Sequence, residues 1–217
     1  MLKRFISGFL MIVIISCIYL YAPEAPRNQE ETALAQTFVE NEEWFIPNRH
    51  IPDDLHVTEV GQSITDSKGE LTLLAKATEI APIVVGPIEF MIKDVKVIHV
   101  VPDNSMMDFF QAYTKKQEFD MIKMSVEIHN TSSDTVQFTP VTRLETTDGE
   151  QKTEEDNLFL EEIQGTFIGG DVKRGDIGFI LNDQAQSTLQ GIHIFTSDAV
   201  NTNGTVFEQG KEIEINF

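Results

Sequence analysis

The chain has 217 residues, enough for one domain with additional segments or for two small domains. Its 35 acidic and 16 basic residues give a net charge of −19. The first 22 residues contain two bases (Lys3 and Arg4) and no acid, so the remainder carries a net charge of −21. Such a surface repels nucleic acid phosphates and anionic lipid headgroups, which excludes nucleic-acid binding.

Residues 1–22 predict a membrane anchor or signal segment. The 18 residues from Phe5 to Ala22 carry no charge, and the preceding bases favour a cytoplasmic N-terminus. Three interpretations stay open: an uncleaved single-span helix, a lipoprotein signal and a cleaved secretory signal. Ile14-Ile15-Ser16 before Cys17 resembles a lipobox, which makes Cys17 the candidate lipidation site. Each interpretation places the rest of the chain on the extracytoplasmic side of the cell membrane.

Residues 23–60 predict an acidic tether. They contain nine acids, two bases and four prolines, a composition typical of an extended linker. Trp44-Phe45-Ile46 is an apolar patch within this stretch. We expect the patch to dock onto the following domain, and a motif that binds a partner is the alternative.

Residues 61–217 are predicted to form the β domain, and from Glu70 onward they show the period of two that is typical of β-strands. The clearest case runs from Phe119 to His129. Apolar side chains at positions 122, 124, 126 and 128 alternate there with Lys123, Ser125, Glu127 and His129. This alternation predicts an antiparallel strand with one buried face and one solvated face.

Turn signals separate seven to nine such strands. Asp148-Gly149 is a strong hairpin signal, and Gly169-Gly170 and Gly175 bracket a predicted basic turn. With almost no helical pattern, the fold class is predicted as all-β, an immunoglobulin-like antiparallel β-sandwich with one short helix. The N-terminal hydrophobic helix and the extended linker precede it.

Residues 103–117 are the one helical candidate. Asp103 or Asn104 is suited to cap it. Met106, Phe109, Phe110 and Tyr113 share one face at helical spacing. We expect this face to cover an open end of the sandwich, and an exposed partner-binding surface is the alternative.

Three stretches carry a resemblance to a known family. They are the strand and turn from Phe119 to Asp134, the hairpin from Arg143 to Glu150, and the strand from Gly170 to Phe179. Together they resemble the immunoglobulin-like family of unknown function, number 4352, of secreted and lipid-anchored Gram-positive proteins. The mycobacterial immunoprotective secreted antigen shares that fold. The resemblance implies a fold, and it implies no activity or catalytic residues.

No catalytic motif stands out in the sequence. It contains no nucleophile elbow, phosphate loop or zinc-binding helix motif, so we expect no enzyme activity, cofactor or dedicated metal site. The densest acidic stretch, from Glu150 to Glu162, lacks the ligand spacing of a calcium loop. The leading hypothesis is a membrane-anchored binding or adaptor module for an envelope protein or other ligand. A calcium-responsive surface protein and a carboxylate-dependent envelope hydrolase are the alternatives.

Overall fold

The computed structural model describes residues 49–159, 162–182 and 189–217. The predicted anchor, the candidate lipidation site Cys17 and the Trp44-Phe45-Ile46 patch lie outside these residues. No helix in the described part of the chain is both long enough and apolar enough to cross a bilayer.

The described residues form fourteen strands and one short α-helix, α1 (Asn104–Phe110), with a single 3-10 turn at Glu154–Asp156. The strands in chain order are β1 (Ser63–Asp66), β2 (Gly69–Ala77), β3 (Ile83–Val85), β4 (Ile88–Pro102), β5 (Phe119–Asn130), β6 (Val136–Phe138), β7 (Arg143–Thr146), β8 (Gln151–Thr153), β9 (Gly165–Phe167), β10 (Val172–Ile180), β11 (Gly191–Phe195), β12 (Ala199–Asn201), β13 (Val206–Glu208) and β14 (Glu212–Asn216).

The strands form one large sheet and two small sheets. The large sheet has the order β1-β2-β4-β5-β10, and β3 pairs with β4. One small sheet has the order β14-β11-β7-β8, and the other has the order β13-β12-β6-β9. All strand pairs are antiparallel.

The main hydrophobic core joins the inner face of the large sheet to both small sheets. It contains Ile122, Met124, Val126 and Ile128, each fully buried, together with side chains from strands of the small sheets. The predicted burial of this face of β5 is therefore confirmed. The molecule is an all-β sandwich with one short helix, as the sequence predicts.

A second core covers part of the outer face of the large sheet. Leu71, Ile98 and Phe119 lie there and pack with α1 and with an N-terminal segment that includes Ile51 and Val57. The folded unit therefore begins before the predicted boundary at residue 61. The last part of the predicted tether, which includes Ile51 and Val57, therefore packs as part of the domain.

This second core corrects the prediction for the polar face of β5. Lys123 and Ser125 were expected in solvent, yet they are 1% and 4% exposed. The N-terminal segment covers them, and a strand's own alternation does not reveal a cover supplied from elsewhere in the chain. The predicted basic turn is also wrong, because Lys173, Arg174 and Gly175 lie inside β10 and pair with β5.

Candidate functional site

An open groove lies where one small sheet meets the edge of the large sheet. Its walls are residues 77–84, which lead into β3, and residues 211–216, which include β14. We call it the edge groove. Its volume is about 580 Å³, within the range of small-molecule and peptide pockets. Ile83 and Ile215 at its base belong to the main core, and Ile80 and Ile213 pack against that core.

The β14 wall of the edge groove is a sheet edge. Among the described strands, β14 pairs only with β11. The Phe217 amide donates to the Gln190 carbonyl and the Lys211 carbonyl accepts from the Thr196 amide, so the odd-numbered residues of β14 bond to β11. In an antiparallel ladder the alternate residues point their N–H and C=O groups the other way. The backbone groups of Glu212 and Glu214 therefore face the groove side.

The rim of the edge groove is acidic. Glu212 contacts His193, with 2.9 Å between its Oε1 and the His193 Nδ1. Lys211 is the basic residue of this wall, and its Nζ lies 3.0 Å from a carboxylate oxygen of Glu208. Glu214 accepts a long hydrogen bond of 3.4 Å from the Asn216 side chain. The groove thus combines an apolar base, backbone groups that no described strand pairs with, and a negative rim.

A second feature is a buried set of charges on the outer face of the large sheet, formed by Asp54, Lys96, Lys123 and Asp176. We call it the charge cluster. Lys96 and Lys123 lie directly opposite each other on β4 and β5. Asp54 lies between them, with its two carboxylate oxygens 2.8 Å from the Lys96 Nζ and 2.6 Å from the Lys123 Nζ. Two facing lysines repel each other, and Asp54 neutralises that repulsion.

Burial and charge compete to set the pKa of each group in the cluster. Burial penalises the charged form of Asp54, but the positive charges of Lys123 and Lys96 outweigh it and lower the pKa of that carboxyl. Burial likewise opposes the charge on Lys123, but Asp54 and Asp176 outweigh it and raise the pKa of that amine. For Asp176 burial prevails over the nearby Lys123, so the pKa of this carboxyl is raised.

The charge cluster is closed to solvent. Its four side chains are between 1% and 6% exposed, and Asp176 also accepts a hydrogen bond of 2.7 Å from Ser125. A substrate cannot reach groups that are covered in this way. The arrangement instead fastens the N-terminal segment to the sheet, because Asp54 also accepts a bond from Lys96 through its backbone carbonyl, at 2.6 Å.

The predicted partner surface lies mainly against the second core. Phe110 is 1% exposed, and Met106 and Phe109 pack against that core. Tyr113, which follows the helix, is 37% exposed. Helix α1 is shorter than the predicted 103–117, and Asp103 caps it by accepting a hydrogen bond from the Ser105 amide. The helix is a covering element, but it covers part of the outer face of the large sheet and not the open end of the sandwich that the sequence predicts.

Sequence reasoning missed both the edge groove and the charge cluster. The groove joins segments more than a hundred residues apart, and nothing local marks them as neighbours. The sequence offered one signal for the charge cluster, which is the presence of Lys123 and Ser125 on β5 in a chain that has few basic residues. Within the described ranges, no group of three or more His, Cys, Asp or Glu side chains is placed to hold a metal ion.

The uncharacterized protein YdhF of Bacillus subtilis (strain 168) is 32% identical to this chain over 186 residues, or 80% of this chain and 79% of YdhF. The chain belongs to the YdhF family. No protein-family model matches it. A functionally unknown protein from Listeria monocytogenes EGD-e has a crystal structure similar to this fold, with a TM-score of 0.49 and 15% identity over 69% of this chain and 87% of that one. Because YdhF is described as uncharacterized, membership of the YdhF family brings no activity with it, and function has to be argued from the site.

Proposed function

We propose that this protein is a non-catalytic binding module held at the outside of the cell membrane, and that the edge groove is its ligand site. The observation that carries the proposal is the groove itself, where Val84 is 50% exposed and Ile80 and Ile213 are partly exposed, beside an outer edge of β14 that no described strand pairs with. Exposed apolar surface and free backbone groups are costly in a protein that has no partner for them. The closed charge cluster offers no comparable access.

The position at the membrane rests on the sequence. Lys3 and Arg4 precede 18 uncharged residues, a pattern that favours export of the rest of the chain. Cys17 is the candidate for lipid attachment, with an uncleaved span as the other form of anchor. We extend the proposal to kinship with the immunoglobulin-like family number 4352, which the turn motifs at Asn130 and Asp148-Gly149 support.

A site-specific crosslink tests the ligand site in living cells. A photoactivatable phenylalanine analogue replaces Val84, which lines the groove and is 50% exposed. The matched control carries the analogue at Ile168, which is 63% exposed and lies outside the groove lining. We expect discrete adducts from position 84 and not from position 168. Equal labelling of both positions, or none at position 84, would contradict the proposal.

The anchor is tested independently of the ligand. Mass spectrometry of the mature N-terminus distinguishes a lipid on Cys17 from an intact N-terminal segment. Protease added to intact cells should digest the domain in either case. A domain that is protected until the cells are lysed would overturn the proposed location.

A further inference from the structure

We propose that the ligand of the edge groove is an extended polypeptide segment that pairs with β14 as an added strand and alternates apolar with basic residues. This inference rests on the proposed function, because it names the chemistry of the partner at the same site. It follows from three properties of the groove: the direction of its backbone groups, the alternation of its side chains and the sign of its rim charge.

The backbone groups of β14 select an extended peptide. The N–H and C=O groups of Glu212 and Glu214 point away from β11, as the register with β11 requires. A peptide in β conformation offers matching donors and acceptors at the same spacing, which is the basis of strand addition. A compact ligand would fill the groove but leave these groups to water.

The side chains of β14 then assign the residues of the added strand. Ile213 and Ile215 point toward the core, while Glu212 and Glu214 are exposed on the other face. An added strand alternates in the same way, so every second residue faces the apolar base formed with Ile80 and Ile83. The residues between them lie opposite Glu212 and Glu214, where lysine or arginine forms favourable cross-strand pairs.

Charge also selects against other occupants of the groove. A second copy that paired through the same edge would place glutamates of one β14 opposite glutamates of the other, which is destabilising. The net charge of −19 adds long-range repulsion between copies and attracts a cationic partner. A basic segment from another protein is therefore the occupant that fits.

Short synthetic peptides test the inference with the full-length protein in detergent. The first peptide alternates valine and lysine, the second alternates valine and glutamate, and binding is followed by fluorescence anisotropy. We expect the lysine peptide to bind at least roughly tenfold more tightly than the glutamate peptide. The variant Glu214→Lys should reduce that preference or reverse it. Equal affinities for both peptides would overturn the predicted chemistry of the partner.

N-methylated peptides test the pairing itself. In an added strand that runs antiparallel to β14, the lysines form hydrogen-bonded pairs with Glu212 and Glu214, so the lysine N–H groups point at β14 and the valine N–H groups point away. Methylating the lysine amides should abolish binding, and methylating the valine amides is the matched control that should retain it. Equal binding of the two methylated peptides would overturn strand addition.

The outcomes also separate this inference from the proposed function. If no peptide binds but position 84 still crosslinks to a partner, the binding module stands and the basic strand is wrong. If no peptide binds and position 84 gives no crosslink, both the proposed binding module and the basic strand are wrong. A concentration-dependent dimer that the Glu214→Lys variant changes would identify a second copy in the groove, and it would overturn the inference as well.

Discussion

At the scale of single residues, Asp54 explains why Lys96 and Lys123 can be buried face to face. Each lysine is 3% exposed or less, and each Nζ lies within 2.8 Å of an Asp54 oxygen. Removing one partner of a buried ion pair leaves an uncompensated charge, which costs far more than the pair itself contributes. The cluster is therefore sensitive to the loss of Asp54 above all.

The Asp54→Asn variant should lose about 3 kcal/mol of unfolding free energy, because Asp94, 3.6 Å from the Lys96 Nζ, and Asp176, 3.1 Å from the Lys123 Nζ, compensate the two lysines only in part. Denaturant titration measures the loss. Asp108→Asn, an exposed acid, is the control with the same change of charge and should stay within about 0.5 kcal/mol of the parent. A variant with Asp54→Leu, Lys96→Met and Lys123→Met together should recover much of the loss. A loss under about 1 kcal/mol for Asp54→Asn would show that other groups compensate the charges of Lys96 and Lys123.

The lowered pKa of Asp54 predicts a dependence of stability on pH. A carboxyl whose pKa is lower in the folded state stabilises the fold above its ordinary value of 3.8, and the contribution disappears as the pH falls through the folded pKa. The raised pKa of Asp176 acts in the opposite direction, and because the charge of Asp54 is one of its causes, Asp54→Asn keeps only part of that effect. The difference in stability between parent and Asp54→Asn should therefore shrink below pH 3.8, as measured by thermal unfolding. A difference that is constant down to pH 2 would contradict this assignment.

At the scale of elements, helix α1 and the N-terminal segment together cover part of the outer face of the large sheet. The ring of His50 stacks on Phe109 at 3.6 Å between centroids, and Phe110 packs on Phe119 at 4.9 Å. Each covering element thus contacts the other as well as the sheet. The cover stabilises the domain, and it hides most of the apolar face that the sequence marks on the helix.

Two alanine variants distinguish a covering helix from a partner surface. Phe110→Ala should cost about 3–5 kcal/mol, because it empties a fully buried aromatic site in the second core. Tyr113→Ala should cost clearly less, about 1 kcal/mol, since this ring is 37% exposed and its main contact is with Phe109 at 5.6 Å between centroids. Thermal or denaturant unfolding measures both. Similar small effects from the two variants would show that the helix does not contribute to the core.

Strands with a visible period or a strong turn signal were predictable, and β3 and β12, which have neither, were not. β5 spans twelve residues, so its period of two is visible in the sequence, and the Asp148-Gly149 turn marks the hairpin of β7 and β8. β3 and β12 span three residues each, too few to show a period. They are strands only because a neighbouring strand lies beside them.

At the scale of the whole molecule, the N-terminal segment and α1 cover part of the outer face of the large sheet, and the edge groove lies beside one of the sheet edges. The sequence indicated the sandwich through turn chemistry and alternation. It did not indicate the cover, because Asp54 and the lysines are 42 and 69 residues apart. It did not indicate the groove either, since the groove forms only where two sheets meet. Contacts between distant segments decide both features, and no local pattern encodes them.

The edge groove and its basic strand are tested most directly by hydrogen exchange at β14, with and without the peptide that alternates valine and lysine. The amides of Glu212 and Glu214 face the groove and should exchange fast in the free protein, while those of Ile213 and Ile215 are already bonded to β11. We predict that the peptide slows exchange at Glu212 and Glu214 and leaves Ile213 and Ile215 almost unchanged. Bound peptide without protection of Glu212 and Glu214 would contradict the account.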